Sequence, residues 1–394
     1  MASNFEFYSP TRVIFGKGTE QRVGALVREY GGTRVLIVYG GKSAVRSGVL
    51  DRAENSLAEA GISSWTLGGV VPNPHLDKVY EGICIGKENS IDFLLAVGGG
   101  SVIDTAKAIA YGLAEPEKDV WELYEHTRTA RKCLPVASIL TIAAAGSETS
   151  NSSVITRVDT HQKRAYNDDI SRPKFAIMDP ELTYTLPRYQ VGCGVVDIMM
   201  HTLERYLTPE GGESDLTDRI AEGLLIAVRD AGRRAIADPR DYEARATLMW
   251  AGSVSHNDYT GCGRKRLFPV HKLEHELSAF RDEIAHGAGL SVLFPAWAEH
   301  EMQYDYPRFA QFANRVLGVE MDFEHPERTA REGIRTLRRF FEEIGMPTHL
   351  SQLGIKPENY EKLAANTVRT VNGPVKSYSP LDEKAIIEIY RLAE

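Results

Sequence analysis

The sequence has few cysteines, no long apolar run and no excess of positive charge. Its four cysteines (Cys84, Cys133, Cys193 and Cys262) lie far apart with no CxxC pair, so neither a disulfide framework nor a cysteine metal site is expected. No apolar stretch reaches the about eighteen residues that a membrane-spanning helix needs. The net charge of −8 disfavours contact with phosphate backbones and anionic lipid, so nucleic acid and membranes are not expected partners.

The N-terminus has no basic region followed by an apolar stretch, so no secretory signal is predicted. Together with the scattered cysteines, this predicts a soluble protein of the reducing cytoplasm. The length of 394 residues predicts two or three domains, at about 150 residues per domain.

The first half alternates β-branched runs with amphipathic stretches, which is typical of parallel strands joined by helices. The predicted strands are Arg34–Tyr39, Trp65–Val71, Asp92–Val97, Leu134–Thr141 and Phe175–Asp179. Leu50, Ala53 and Leu57 have helical spacing before Gly61 and predict a helix between the first two strands. At the N-terminus, apolar and polar residues alternate around Ser9-Pro10, which predicts a hairpin.

Helical periodicity replaces the β-branched runs after Leu186-Pro187. It is visible at two sets of positions: Leu216, Ile220, Leu224 and Val228, and then Ile334, Leu337, Phe341 and Ile344. We therefore expect an α/β nucleotide-binding domain over residues 1–187 and a helical, metal-binding domain over residues 188–394.

Small-residue loops follow three of the predicted strands. Gly98-Gly99-Gly100-Ser101 joins a strand to a helical pattern, which lets backbone N–H groups approach a pyrophosphate. Gly40-Gly41 carries no acid for the adenosine ribose, and Lys42, Ser43 and Arg46 follow it. The two cations there favour a 2′-phosphate. The third loop is Thr141–Glu148, which by its composition is able to close over a ligand.

Histidines are concentrated in the helical half. Asp197 and His201 are four residues apart, as are His271 and His275, and His286 precedes Gly287. Residues at this spacing share a helix face. Neutral imidazoles with a carboxylate are the ligands that Zn²⁺ and Fe²⁺ prefer, so these segments predict a divalent metal site.

These motifs occur in a combination that resembles the iron-containing (group III) alcohol dehydrogenases. The segments that carry the resemblance are YGGKSAVRSG, GGVVPNP, AVGGGSVIDTAKAIA, TIAAAGSE, DPELTYTLP, GVVDIMMHTLE and HKLEHELSA with HGAGLSVLFPAW. The chain is most similar to the butanol dehydrogenase and NADPH-dependent aldehyde reductase branch. The resemblance implies an α/β dinucleotide domain, a helical domain of the dehydroquinate synthase-like fold, and an active site in the cleft between them.

The resemblance also implies roles for individual residues. The metal ligands, for Fe²⁺ or Zn²⁺, would be Asp197, His201, His271 and His286. His275 would lie near the nicotinamide. The cofactor-binding residues would be Gly99, Gly100, Ser101, Asp104, Asn73, Thr141, Ser147 and Lys163. Relatives that prefer NAD tend to carry an aspartate at Gly40-Gly41, so the resemblance agrees with NADP(H), and we also expect a homodimer.

Three positions depart from the family pattern. His271 and His286 are fifteen residues apart, one more than usual, which could move His286. Ala145 replaces a threonine, and Lys42 replaces a third glycine.

The expected reaction interconverts primary alcohols such as butanol and their aldehydes. A metal would polarise the carbonyl while NADPH delivers hydride, with His275 as proton relay or as a residue that orients the site. Trp250, Phe268 and Trp297 are candidates for an apolar cleft wall or for the core.

Alternatives stay open. One is a dehydroquinate synthase-like or glycerol-1-phosphate dehydrogenase-like enzyme on a phosphorylated substrate, which would use Lys272, Arg281 and the run Arg264-Lys265-Arg266. A metal-dependent hydrolase and a non-catalytic binding protein are the others.

Overall fold

The computed structural model describes residues 4–211 and 214–394, and it divides into two compact units. The N-terminal unit is Tyr8–Leu186. The helical unit is Pro187–Glu394 together with the described residues that end at Phe7. Within the described ranges, no helix is both long enough and apolar enough to cross a membrane.

The N-terminal unit contains the strands. They are β1 Arg12–Phe15, β2 Arg34–Tyr39, β3 Ser63–Leu67, β4 Phe93–Gly98, β5 Val136–Leu140, β6 Ser152–Arg157, β7 Gln162–Asn167 and β8 Phe175–Met178. Its helices are α1 Val23–Glu29, α2 Lys42–Arg46, α3 Val49–Glu59, α4 Leu76–Glu88, α5 Gly100–Ala114 and α6 Trp121–Tyr124.

A six-stranded parallel sheet in the order β1-β8-β5-β4-β2-β3 forms the centre of this unit. Leu36 and Ile37 are successive residues of β2, so their side chains point to opposite faces of the sheet, and both are fully buried. Leu94 and Leu95 in β4 are buried in the same way. Burial on both faces is the reason that parallel strands consist of continuous apolar runs.

The strand order reverses between β2 and β4. The chain places β3 on the outer side of β2 and then returns to place β4 on the inner side. In open α/β sheets, ligands bind beyond the carboxyl ends of the strands at such a reversal. Gly40-Gly41 follows β2 and Gly99-Gly100 follows β4, so both loops lie at this point of the sheet.

The central strands agree with the sequence analysis, whereas the N-terminal hairpin is wrong. β1 pairs in parallel with β8, about 160 positions along the chain, so that Arg12 lies opposite Phe175. β3 begins at Ser63 and ends at Leu67 rather than running to Val71. The sequence analysis also missed an antiparallel hairpin of β6 and β7, in which His161 takes a left-handed conformation with φ of 50°.

The helical unit is built from nine labelled α-helices of the described residues. They are α7 Arg188–Tyr206, α8 Asp215–Ala237, α9 Tyr242–His256, α10 Pro269–Phe280, α11 His286–Glu301, α12 Tyr306–Leu317, α13 Pro326–Glu343, α14 Tyr360–Thr370 and α15 Glu383–Leu392. The predicted face of α13 is correct, because Ile334, Leu337 and Phe341 are buried. The predicted face of α8 is shifted, because Leu216 is 73% exposed while Ala221 and Leu225 are buried.

Helix α11 begins directly against the backbone of α7. A Cβ added at Gly287 would lie only 2.2 Å from the backbone oxygen of Cys193. Only glycine permits this approach. The contact places His286, the first residue of α11, beside the buried helix α7.

Candidate functional site

One face of α7 carries three acidic or imidazole side chains in the interior of the helical unit. Asp197, His201 and Glu204 stand at i, i+4 and i+7, which aligns them on a single helix face. Their relative exposures are 4%, 5% and 1%. Buried groups of this kind require polar or charged partners, and the partners come from α10 and α11.

Three histidine nitrogens converge on one oxygen of Asp197. From Asp197 Oδ1, the distance to His201 Nδ1 is 3.6 Å. The distances to the Nε2 atoms of His271 and His286 are both 3.8 Å. Asp197 Oδ1, His201 Nδ1 and His271 Nε2 are buried without a hydrogen-bond partner. Orphaned polar atoms that face one another are rare in folded proteins and call for an ion.

The spacing of these atoms fits a transition-metal ion. Ligand atoms arranged tetrahedrally at about 2.1 Å from Zn²⁺ lie about 3.4 Å from one another, close to the distances around Asp197 Oδ1. Three imidazoles and a carboxylate also match the preference of Zn²⁺ and Fe²⁺ for nitrogen and oxygen donors. The one-residue expansion before His286 has not moved its Nε2 out of the cluster.

A carboxylate contacts the opposite ring nitrogen of two of the histidines. His271 Nδ1 contacts Glu204 Oε2, and His286 Nδ1 contacts Glu274 Oε2. Glu204 and Glu274 have no exposed side-chain surface. The sequence analysis missed both, although Glu204 continues the spacing of Asp197 and His201, and Glu274 lies between His271 and His275.

Two separate groups of residues have side chains suited to a metal ion, and their contacts distinguish them. The first group is Asp197, His201 and His271. The second is Glu274, His275 and His286. In the first group the facing atoms lack hydrogen bonds, whereas in the second Glu274 contacts His286 directly. The first group together with His286 Nε2 is the better metal site, and the second belongs to its surroundings.

Burial and charge oppose each other at these rings. Burial and the neighbouring histidines hold the pKa of His201 well below its usual value, so this ring is neutral. Burial also lowers the pKa of His271, but Glu204 and Asp197 outweigh it and raise this pKa to about 9. A divalent metal competes with that proton, because only the neutral ring can act as a ligand.

Access to the cluster is uneven. The His286 side chain is 27% exposed, whereas those of His201 and Asp197 are both 6% exposed. His275 is partly exposed on α10, and its ring centroid lies 5.7 Å from that of His286. The open side of the cluster is thus the side on which His286 and His275 lie.

In the N-terminal unit, the glycines after β4 allow close packing of two loops. A Cβ at Gly99 would lie 2.8 Å from Ile142 Cβ, and one at Gly100 would lie 2.9 Å from Ala145 Cβ. Gly99 precedes the fifteen-residue helix α5, and the N–H of Thr141 donates to the carbonyl of Gly98. The glycines therefore let the start of α5 pack closely against Ile142 and Ala145, and the N-terminus of a helix offers backbone N–H groups of the kind that bind phosphate.

Asp104 and Ser147 are in contact in the structure. Ser147 Oγ donates to Asp104 Oδ1 at 2.6 Å, and the N–H of Val154 donates to Asp104 Oδ2. Lys107 Nζ donates to the carbonyls of Ser147 and Ser150 at 2.7 and 2.9 Å. Burial raises the pKa of Asp104 and, despite Asp104, lowers the pKa of Lys107 to about 8. Asp104, and Lys107 beside it, thus hold the loop that carries Ser147.

Asn73 and Lys163 also lie together. Lys163 Nζ donates to Asn73 Oδ1 at 2.9 Å, and both residues are buried. Thr156, which lies opposite Lys163 in the hairpin, donates its N–H to the carbonyl of Pro74. The β6–β7 hairpin, which the sequence analysis missed, is therefore the element that supports the Asn73 loop.

The loop after β2 presents positive charge. Lys42, Ser43 and Arg46 are exposed on α2, and in the described part of the chain the two cations form no side-chain ion pair or hydrogen bond. Gly41 has an ordinary φ of −82°, and a Cβ added there would meet no atom within 4 Å. Side chains can therefore be introduced at Gly41 without strain.

The three candidates for an apolar wall lie in different surroundings. Phe268 packs 5.0 Å from the His271 ring, centroid to centroid, so it borders the cluster. Trp297 is buried in the core at 1% exposure, and Trp250 is 49% exposed.

Most of the cations that could hold a substrate phosphate already have carboxylate partners. Arg264 contacts Asp218, Lys265 contacts Glu210, Arg266 contacts Asp258 and Arg281 contacts Glu283.

Comparisons with known proteins find relatives over nearly the whole chain. Residues 10–180 match the family described as iron-containing alcohol dehydrogenase, and residues 192–393 match its C-terminal family. The chain is 40% identical over 389 residues to NADH-dependent butanol dehydrogenase A of Clostridium acetobutylicum, covering 98% of this chain and 99% of that protein. It is 36% identical to the NADPH-dependent aldehyde reductase of Escherichia coli, covering 90% of each. The crystal structure of NADH-dependent butanol dehydrogenase A from Thermotoga maritima matches with a TM-score of 0.95 and 35% identity, covering 100% of this chain and 99% of that one.

We propose that Asp197, His201, His271 and His286 hold one divalent metal ion, and variants of the first two test this. Asp197→Ala and His201→Ala are expected to lose stoichiometric metal and turnover together, because three ligands hold the ion weakly. Metal content after dialysis and the rate of cofactor oxidation measure the two effects. Full metal content with a wild-type rate in either variant would contradict the proposed metal site.

Proposed function

Because the chain belongs to the iron-containing alcohol dehydrogenase family, we propose that it is a metal-dependent, NADP(H)-linked enzyme that interconverts primary alcohols such as butanol with their aldehydes. The observation that carries the proposal is the convergence of three ring nitrogens on Asp197 Oδ1 at 3.6 to 3.8 Å. The glycine loop after β4 supports the cofactor half of the proposal. Family membership makes the chain an alcohol dehydrogenase, and the cofactor and substrate are the proposed parts.

The bound ion would supply Lewis-acid polarisation of a carbonyl oxygen. In this account Asp197 and the three ligand histidines hold that ion, and burial of Asp197 and His201 keeps bulk water from their side. His286 faces the more open side, where a substrate can approach. His275, beside His286, passes a proton between solvent and the alcohol oxygen through a ring nitrogen.

The two other enzymatic readings are less well supported. A phosphorylated substrate needs cations near the metal, and Arg264, Arg266 and Arg281 are already paired with carboxylates. A metal-dependent hydrolase needs no nucleotide, whereas the glycine loop before α5 is of the kind that binds phosphate at a helix N-terminus. Nucleotide binding therefore separates a dehydrogenase from a hydrolase.

The reaction class is tested by assaying metal-free and metal-loaded enzyme over a panel of straight-chain aldehydes. Metal-loaded enzyme is expected to oxidise NADPH with butanal, and removal of the metal by a chelator is expected to abolish the rate until Zn²⁺ or Fe²⁺ is restored. Consumption of NADPH by the metal-free enzyme at the same rate would contradict the proposal.

The charge at the end of β2 supports the proposed preference for NADP(H). Gly41 offers no carboxylate to repel a 2′-phosphate, and Lys42 and Arg46 are exposed nearby. One charge-assisted contact is worth about 1.5–3 kcal/mol, or about ten- to a hundredfold in binding. The named relatives include both NADH- and NADPH-dependent enzymes, so the preference has to be measured in this chain.

Gly41→Asp is the corresponding test, because no atom would clash with the new side chain. We expect wild-type enzyme to have the higher kcat/KM with NADPH, and Gly41→Asp to shift the preference toward NADH by about tenfold or more. Gly41→Asn is the matched control, since it adds the same volume without charge. Equal or better kcat/KM of the wild type with NADH would refute the proposed preference.

His275→Phe tests the proposed proton relay. If His275 moves the proton, the variant keeps its metal and binds NADPH while kcat falls by about 10²–10⁴, the usual worth of acid–base catalysis. If the ring only orients the site, metal affinity falls by about 10–100-fold and added metal restores the rate. Measuring kcat at saturating metal decides between the two. A kcat that added metal restores would refute the proposed relay.

Two further features belong to the proposal. We propose a homodimer and a reducing, cytoplasmic setting for the enzyme. The latter is supported by four cysteines that are all free thiols.

A further inference from the structure

Glu204 and Glu274 contact the metal-site histidines on the side that faces away from Asp197. We propose that these two carboxylates are positioning residues that fix the tautomer and orientation of His271 and His286 and thereby set the affinity for the metal. The inference rests on the proposed metal site and assigns new roles beside it. A neutral imidazole has one N–H and one lone pair, so an acceptor at Nδ1 leaves the lone pair at Nε2.

Each of the two carboxylate oxygens of Glu204 contacts a different group. Its Oε2 contacts His271 Nδ1, while its Oε1 accepts the backbone N–H of Val270 at 2.6 Å. Val270 lies in the first turn of α10, where backbone N–H groups lack partners within the helix. One carboxylate on α7 therefore caps α10 and orients the histidine that α10 contributes. The two contacts use different oxygens of Glu204, and a glutamine would place a donor NH2 group at one of those two positions.

Glu274 plays the same part between α10 and α11. It contacts His286, the first residue of α11, and it has no exposed side-chain surface. A Cβ at Gly289 would lie 2.7 Å from Glu274 Cγ, so α11 leaves space for this side chain. Glu274 lies within α10 and does not cap the start of that helix, as Glu204 does, so a Glu274 variant separates metal positioning from the capping of α10.

The charges of the cluster support the same assignment. Asp197, Glu204 and Glu274 are three buried carboxylates within one group of contacts. Buried carboxylates are costly unless positive charge balances them. A divalent ion bound by neutral imidazoles supplies that charge, so removing either outer carboxylate weakens the hold on the ion without removing a ligand.

The test compares Glu204→Gln and Glu274→Gln with a control from α10, the helix that carries Glu274. Glu276→Gln is suitable because Glu276 is also buried and accepts from Thr370 Oγ1 at 2.8 Å, a bond that glutamine can keep. The Zn²⁺ dissociation constant is measured for each protein by competition with a chromophoric chelator. Thermal unfolding of the metal-free proteins checks that each variant is folded.

We expect the dissociation constant for Zn²⁺ to rise by about 10–100-fold in both test variants and by less than about twofold in the control. At saturating metal their kcat should return close to that of the wild type, because all four ligands remain. Wild-type affinity in folded Glu204→Gln and Glu274→Gln would overturn the inference and leave the proposed function intact. A wild-type chain that takes up no divalent metal would overturn both.

Discussion

Asp197 places a carboxylate oxygen in the interior of the helical unit, within 3.8 Å of three imidazole nitrogens and without a hydrogen-bond donor. Three helices of this unit meet at that oxygen. Helix α7 supplies Asp197 and His201, α10 supplies His271, and α11 begins at His286. The close contact of Gly287 with the α7 backbone keeps α11 near enough for His286 to reach the same point. A divalent cation there would satisfy atoms that the protein itself leaves without partners.

In the N-terminal unit, the corresponding features are the loops that follow β2 and β4. At the point where the strand order reverses, glycines let the start of α5 pack closely against a neighbouring loop, and Asp104 and Lys107 hold that loop through Ser147. The chain thus uses glycine where two loops must pack closely and buried charge where a loop must stay in position. The loop after β2 has no acidic residue, and Lys42 and Arg46 are exposed there. This charge is the basis of the proposed cofactor preference.

The sequence predicted the features that depend on local pattern. The central parallel strands were predicted from apolar runs. The cluster of histidines and a carboxylate was predicted from residues spaced four apart in two segments. It did not predict the partner of β1, because alternation identifies a strand but not the distant β8 beside it. It also missed Glu204 and Glu274, since a buried carboxylate in a helix looks like a surface charge until the fold shows what it contacts. Lys163 was named without the β6–β7 hairpin that brings it to Asn73.

X-ray absorption at the metal edge of the Zn²⁺-loaded protein tests the central claim most directly. The account predicts four light donors, three of them imidazole nitrogens, at about 2.0–2.1 Å, and no sulfur at about 2.3 Å. The multiple-scattering signal of imidazole distinguishes histidine from other nitrogen and oxygen donors. A shell dominated by sulfur, or by oxygen with no imidazole signal, would contradict the assignment of the Asp197 cluster as the metal site.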